Sequence, residues 1–306
     1  MSSMNISDMS IKEKTKEDFD RAYFEAMISR IFDRFQGEKD SLLSFSEIMK
    51  FVKIKNQSYK GMQFVLIDDI VGSEGRYNDF NKKFLPKRRI LRERWQRVDE
   101  AHYKDVILPP IQLYQLGKAY FVRDGNHRVS VAKRQGMEFI DAEVTEIYTD
   151  IEINPDMTKE DLVKILIENE RKNFLEMTNL SELRDVSMIN FTTTGLFDTL
   201  LTHINGHQYF LGIDKKESVS FDEALLSWYD NLFLPIIKEI EEDRILFYFP
   251  GRTEADLYVW IIRHWDELKN KFGQKIKISD AVKSFKNNYG GSTFGSFFKW
   301  LSKLLK

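Results

Sequence analysis

Apolar side chains recur every fourth position at Phe19, Tyr23, Met27, Ile31 and Phe35, a spacing that predicts a helix over residues 12–36 with Gly37 as its stop. A shorter helix is expected over 44–52, capped by Ser44 or Ser46. The pattern then shifts to a β-branched run, "FVLIDDIV" at 64–71, of strand length and closed by the glycine-bearing "GSEGRYNDF". After Pro86, "KRRILRERWQRVDEAHYKD" predicts a helix with Ile90, Leu91, Trp95 and Val98 inward. "LPPIQLYQLGKAYFVRDG" predicts a hairpin, with strands at 111–116 and 119–123 and a Gly117-Lys118 turn. A short helix follows, with Asn126 as its N-cap and Gly136 as a left-handed residue past its end, and "FIDAEVTEI" adds a strand.

Beyond Pro155 the period is helical, with starts marked by Thr158 and Asp161, and by Thr253 with Glu254 and Asp256. No internal repeat is visible in the sequence. "NNYGGSTFG" reads as a joint leading to "FGSFFKWLSKLLK", which puts Phe294, Phe297, Phe298, Leu301, Leu304 and Leu305 on one helical face. Such a tail suits docking on its own protein or a partner, with an anionic membrane surface as the alternative. The expected organisation is a helical arm (1–58), an α/β domain (59–150), a mostly helical domain (151–287) and the joint with its tail (288–306). The fold class is α+β.

Length and composition narrow the chemistry. The chain has 306 residues, 42% hydrophobic and 31% charged, which suits about two globular domains. It has no cysteine, which excludes disulfides and thiol nucleophiles and fits a reducing, cytoplasmic setting. No secretory leader is visible, and no run reaches the ~18 apolar residues of a membrane span. A net charge of -2 argues against a wholly basic nucleic-acid binder, so any such role needs a local patch.

Candidate chemistry concentrates in "YFVRDGNHRVSVAKRQG" (120–136), an acid, a glycine, an imidazole and a guanidinium at a helix start. Unpaired amides there attract phosphate, Gly125 permits close approach, and Arg128 can fork onto two oxygens. His127 can donate a hydrogen bond or move a proton, and Asp124 suits a magnesium ligand or a base. The plain alternative is an exposed turn with Arg128 paired to Glu138 or Asp141. One strand upstream, Glu74 offers a base or metal ligand and Arg76 a second clamp. The stretch 82–97 holds eight Lys or Arg against Glu93 alone, and Lys87, Arg88 and Arg92 are its nucleic-acid candidates, weighed against a merely solvated face. Arg252, at a helix entrance, is a weaker anion candidate than a simple capping segment. His203 and His207 have metal-ligand spacing, but Asn205-Gly206 is expected to break the helix between them.

Read with its flanks, the region from "FVLIDDIVGSEGRY" through "LPPIQLYQLGKAYFVRDGNHRVSVAKRQGMEFIDAEV" resembles the ParB/sulfiredoxin-like superfamily. The resemblance implies a turn that grips nucleotide phosphates, and it places Gly125, Asn126, His127, Arg128 and Ser130 on or beside that turn. Sulfiredoxins have their reactive cysteine where this chain has Asn126, and partition proteins usually have Gly-Glu-Arg-Arg where it has Gly-Asn-His-Arg. The Asp-Gly-x-His-Arg form is closer to the free-serine kinases of the superfamily, in which the aspartate and an upstream acidic loop assist phosphoryl transfer. "WYDNLFLPIIKEI" and "FPGRTEADLYVWIIRH" are similar to a C-terminal domain of bacterial proteins of unassigned function. The expectation is therefore a nucleotide-binding protein (ATP, ADP or CTP, with Mg2+) acting as a phosphotransferase or hydrolase. Its alternatives are a DNA-associated regulator switched by nucleotide and a non-catalytic interaction module.

Overall fold

A computed structural model describes residues 6–36, 41–273 and 275–289. The chain forms two compact units, Met1–Leu162 and Val163–Lys306, and the fold class is α+β. No helix among the described residues is long and apolar enough to cross a membrane. The tail from 290 onward, Gly37, and the side chains of Ile31 and Phe35 lie outside the described part.

The first unit opens with α1 (Ile6–Gln36), which buries Thr15, Phe19, Ala22 and Ala26 along one stripe. Alanines there let the helix sit close to its neighbour, and Met27, expected inward, is exposed. Phe19 meets Trp95 edge-on, with ring centroids 5.7 Å apart. Strand β1 (Leu43–Ser44) leads into α2 (Phe45–Ile48), whose start is capped as expected: Ser44 Oγ accepts from the Glu47 amide at 3.2 Å.

The run expected as one strand at 64–71 is two. Strand β2 (Asn56–Leu66) ends where Ile67–Asp69 make a tight 3-10 turn, and β3 (Ile70–Ser73) begins beyond it. The two adjacent acids, Asp68 and Asp69, interrupt a run that hydropathy alone reads as continuous. The helix expected directly after Pro86 begins later, as α3 (Arg92–Tyr103), because the loop before it folds around Asn81. Asn81 Oδ1 accepts from the amides of Lys83 and Leu85 at 3.1 and 2.8 Å. Ile90 consequently points outward and is 84% exposed. The hairpin β4 (Ile111–Leu116) and β5 (Ala119–Asp124) forms as read, with Gly117 at φ 63°. After it come α4 (Asn126–Arg134) and β6 (Phe139–Tyr148). Gly136, at φ 72°, closes α4: its amide bonds the Lys133 carbonyl and that of Met137 bonds the Ala132 carbonyl.

The six strands make one mixed sheet in the order β1-β3-β5-β4-β6-β2. Phe19 and Ala22 share one core with Val65, Ile70, Ile111, Val122 and Val129. The arm is thus part of the α/β unit rather than a separate domain, and a boundary at residue 58 would cut β2.

Helix α5 (Lys159–Thr178) begins in the first unit and runs into the second, which continues with α6 (Leu180–Leu183), α7 (Leu196–Lys215), α8 (Phe221–Trp228), α9 (Leu234–Glu242), α10 (Glu254–Phe272) and α11 (Ile278–Tyr289). Thr158 with Asp161, and Thr253 with Asp256, form the reciprocal caps their spacing predicts. Helix α7 runs unbroken through Asn205-Gly206, against expectation, because its opposite face buries Phe197, Leu200 and Ile204.

The unit contains an internal repeat that was not legible in the sequence. His207 Nε2 and Ser227 Oγ are hydrogen-bonded at 2.9 Å, and Asn231 donates to the same hydroxyl at 3.2 Å. His264, Ser284 and Asn288 repeat this trio at 3.0 and 3.2 Å, each 57 positions further on (207 to 264, 227 to 284, 231 to 288). At the same offset, Gln208 donates to the Val219 carbonyl and Trp265 to the Ile276 carbonyl, both at 2.8 Å. The buried Leu200, Ile204 and Ala224 recur as Leu257, Ile261 and Ala281. The α7–α8 hairpin and the α10–α11 hairpin are two copies of one unit.

Candidate functional site

The candidate site lies where β3 and β5, which are parallel neighbours, end beside the start of α4. Gly125 occupies the N-cap position at φ +110°, and no side chain caps the helix. A Cβ at Gly125 would fall 2.4 Å from Ile111 Cγ2, so the turn accepts only glycine. Asn126 is therefore not the N-cap. It is the first helical residue, buried, and its Oδ1 has no partner.

His127 is buried and packs edge-on against Phe80, with centroids 5.4 Å apart. Burial, reinforced by Arg94 and Arg76 and more weakly by Arg97, pushes its pKa down to about 4. The ring is neutral near pH 7, and its buried Nδ1 has no partner. It is a hydrogen-bonding group there, not a second cation.

Arg128 departs most from expectation. It is neither an open fork nor paired to Glu138 or Asp141. Its Nη2 holds Asp124 Oδ2 at 2.5 Å, and its Nη1 donates to the carbonyls of Pro110, at 2.8 Å, and of Pro109. The side chain is 16% exposed and forms one wall of a cleft of about 370 Å³ that is otherwise mainly apolar, with Val98, Val131 and Phe139 among its lining. Arg128 staples the turn to the segment before β4, and Asp124 is correspondingly occupied. Ser130 is likewise withdrawn from any ligand: it is buried, donates to the Phe84 carbonyl at 2.6 Å and accepts from Trp95 Nε1 at 2.9 Å.

Glu74 follows β3 directly, and its amide donates to the Val122 carbonyl at 3.0 Å, which sets its backbone beside β5. Arg76 is held by Asp79 at 3.0 Å, and Arg88 reaches the other oxygen of the same carboxylate at 3.1 Å. Of the proposed nucleic-acid stripe, Arg92 is spent inside the unit: it pairs with Asp20 and lies over the Phe19 ring. Lys87 and Arg88 sit in the loop before α3, not on a continuous helical face.

The guanidinium that sequence reading passed over is Arg94. It is exposed, has no acidic partner among the described residues, and lies close enough to act on both His127 and Arg128. The signal for it was Trp95: once that indole is anchored on Ser130, the rotation of α3, the helix that carries Arg94, is set.

Arg252 donates to Thr192 Oγ1 at 2.7 Å and lies over the Trp260 ring. His203 is partly buried against Tyr258, and burial pushes its pKa down to about 4. No group of three His, Asp or Glu among the described residues could hold a metal ion. No protein-family model matches this chain, and no curated protein matches it.

Proposed function

We propose that the first unit binds a nucleotide through its phosphates at the start of α4. The observation that carries this is the uncapped helix start at Gly125, φ +110°, whose buried His127 feels the positive charge of Arg94, Arg76 and Arg97, opposed by Asp79. Open amides, a helix dipole and the guanidinium of Arg94, with Arg76 shared with Asp79, would form a cradle for a multiply charged anion. The likeness to the ParB/sulfiredoxin-like superfamily, borne by Asp124-Gly125-Asn126-His127-Arg128, supports the same reading. Arg94 would be the phosphate fork, Arg76 and Arg97 its flank, and Arg128 the brace that holds the turn in shape.

Magnesium would arrive with the phosphates, because Asp124 already holds Arg128 and the described residues supply no three-ligand cluster. The catalytic form of the proposal is phosphoryl transfer or hydrolysis. Asp124 and Glu74, at the ends of adjacent parallel strands, would then orient the acceptor or water. Thermal-shift and calorimetric titrations with ADP, ATP and CTP, with and without magnesium, test binding. Stabilisation by one or more nucleotides that is lost in Arg94→Ala supports it, and a flat response across the panel removes it. Asp124→Asn and Glu74→Gln that bind nucleotide normally but lose turnover would identify an enzyme.

A further inference from the structure

We infer that the chain self-associates through the outer face of α7, forming a two-fold dimer. The inference rests on comparing the two copies of the repeat. On α10, the positions facing away from the core are Arg263, Asp266, Glu267 and Asn270, which suit contact with water. Their equivalents on α7, 57 positions earlier, are Gly206, Tyr209, Phe210 and Ile213. Tyr209, Phe210 and Ile213 are 66%, 65% and 55% exposed. One hairpin fold thus carries a polar outer face in one copy and an apolar outer face in the other. The core requires neither, so the apolar face answers to something outside it.

The occupant that the face fits is a second copy of itself. Thr202, Gly206, Tyr209 and Ile213 lie within a narrow stripe at helical spacing. An antiparallel two-fold axis between residues 207 and 208 sets Tyr209 over the partner's Gly206 and Ile213 over the partner's Thr202. Each large side chain meets a small one, as an isologous helix pair requires. Gly206 otherwise has no role. It sits in a helix interior, where glycine costs about 1 kcal/mol relative to alanine, and a Cβ there would meet nothing within 4 Å. Close approach by another helix accounts for it.

The test is sedimentation velocity of the full chain across a micromolar dilution series. We expect a concentration-dependent dimer that becomes monomeric in Tyr209→Glu/Phe210→Glu. Gly206→Leu should also be monomeric, with an unchanged or higher melting temperature, since leucine favours the isolated helix and fills only the gap between copies. Asp266→Ala/Glu267→Ala, at the equivalent face of α10, should leave the dimer intact. A wild type that is monomeric throughout the series overturns the inference. So does a dimer that survives both α7 variants, or one that dissociates only with the α10 variant.

Discussion

Trp95 Nε1 donates to Ser130 Oγ at 2.9 Å, and the Ser130 hydroxyl in turn donates to the Phe84 carbonyl at 2.6 Å. This chain of two bonds ties α3, which carries Arg94, to α4 and to the loop before α3 in one corner. Ser130→Ala removes both bonds and leaves a buried indole N–H and a buried carbonyl without partners. The expected loss is about 1–3 kcal/mol in urea unfolding, together with weakened nucleotide binding because Arg94 is no longer held in register. Stability unchanged by the substitution would show that the corner does not depend on the serine.

Arg94 and Arg92 should separate cleanly. Arg94→Ala is expected to weaken nucleotide affinity by about ten- to a hundredfold, the value of one charge-assisted contact of about 1.5–3 kcal/mol, without altering the melting temperature. Arg92→Ala should cost stability modestly through the lost contacts to Asp20 and Phe19, and leave affinity nearly intact. Calorimetry on both variants decides the point, and equal losses of affinity would favour a diffuse basic face over a cradle.

Gly125→Ala meets two obstacles at once, a φ of +110° and a Cβ 2.4 Å from Ile111 Cγ2. Strain of this kind costs about 1–3 kcal/mol. A thermal melt should show a clear drop, and Ile111→Val, which keeps both Cβ and Cγ2, should recover none of it.

Stability should respond to pH through Glu170. Burial, opposed by a hydrogen bond from the Gly195 amide and assisted by Asp198, raises its pKa to about 7. A folded-state pKa above the unfolded value near 4.3 means that folding favours the protonated form. That contribution is complete below about pH 4 and is lost as pH rises through about 7. Glu170→Gln should therefore raise the melting temperature at pH 8 and leave it nearly unchanged at pH 4. Equal shifts at both pH values would show that the carboxyl does not titrate in this range.

His127 and His203 act in the opposite sense. Burial lowers both to about 4, so the stability they contribute is present above the unfolded value near 6.5 and is lost as pH falls toward 4. NMR titration of the two imidazoles should show neither protonating above pH 5.

Several elements were legible from local sequence because their bonds close within a few residues. The Ser44, Thr158 and Thr253 caps, the Gly117 hairpin turn and the Gly136 helix end all satisfy amides three to five positions away, and composition alone signals such bonds. The acid-glycine-imidazole-guanidinium turn was legible for the same reason.

What the turn's side chains do was decided by partners far along the chain. Arg128 found the Pro109 and Pro110 carbonyls, Ser130 found Phe84 and Trp95, and Arg92 found Asp20 on α1, each through packing that no local pattern encodes. The repeat stayed hidden because its copies agree mainly at core positions and at one His-Ser-Asn trio, while their solvent faces differ, apolar on α7 and polar on α10. Local hydrogen bonding thus settled where the helices and turns of this chain begin and end. Burial, which joins residues without regard to their separation in sequence, settled which charges are spent inside the fold and which remain to meet a ligand.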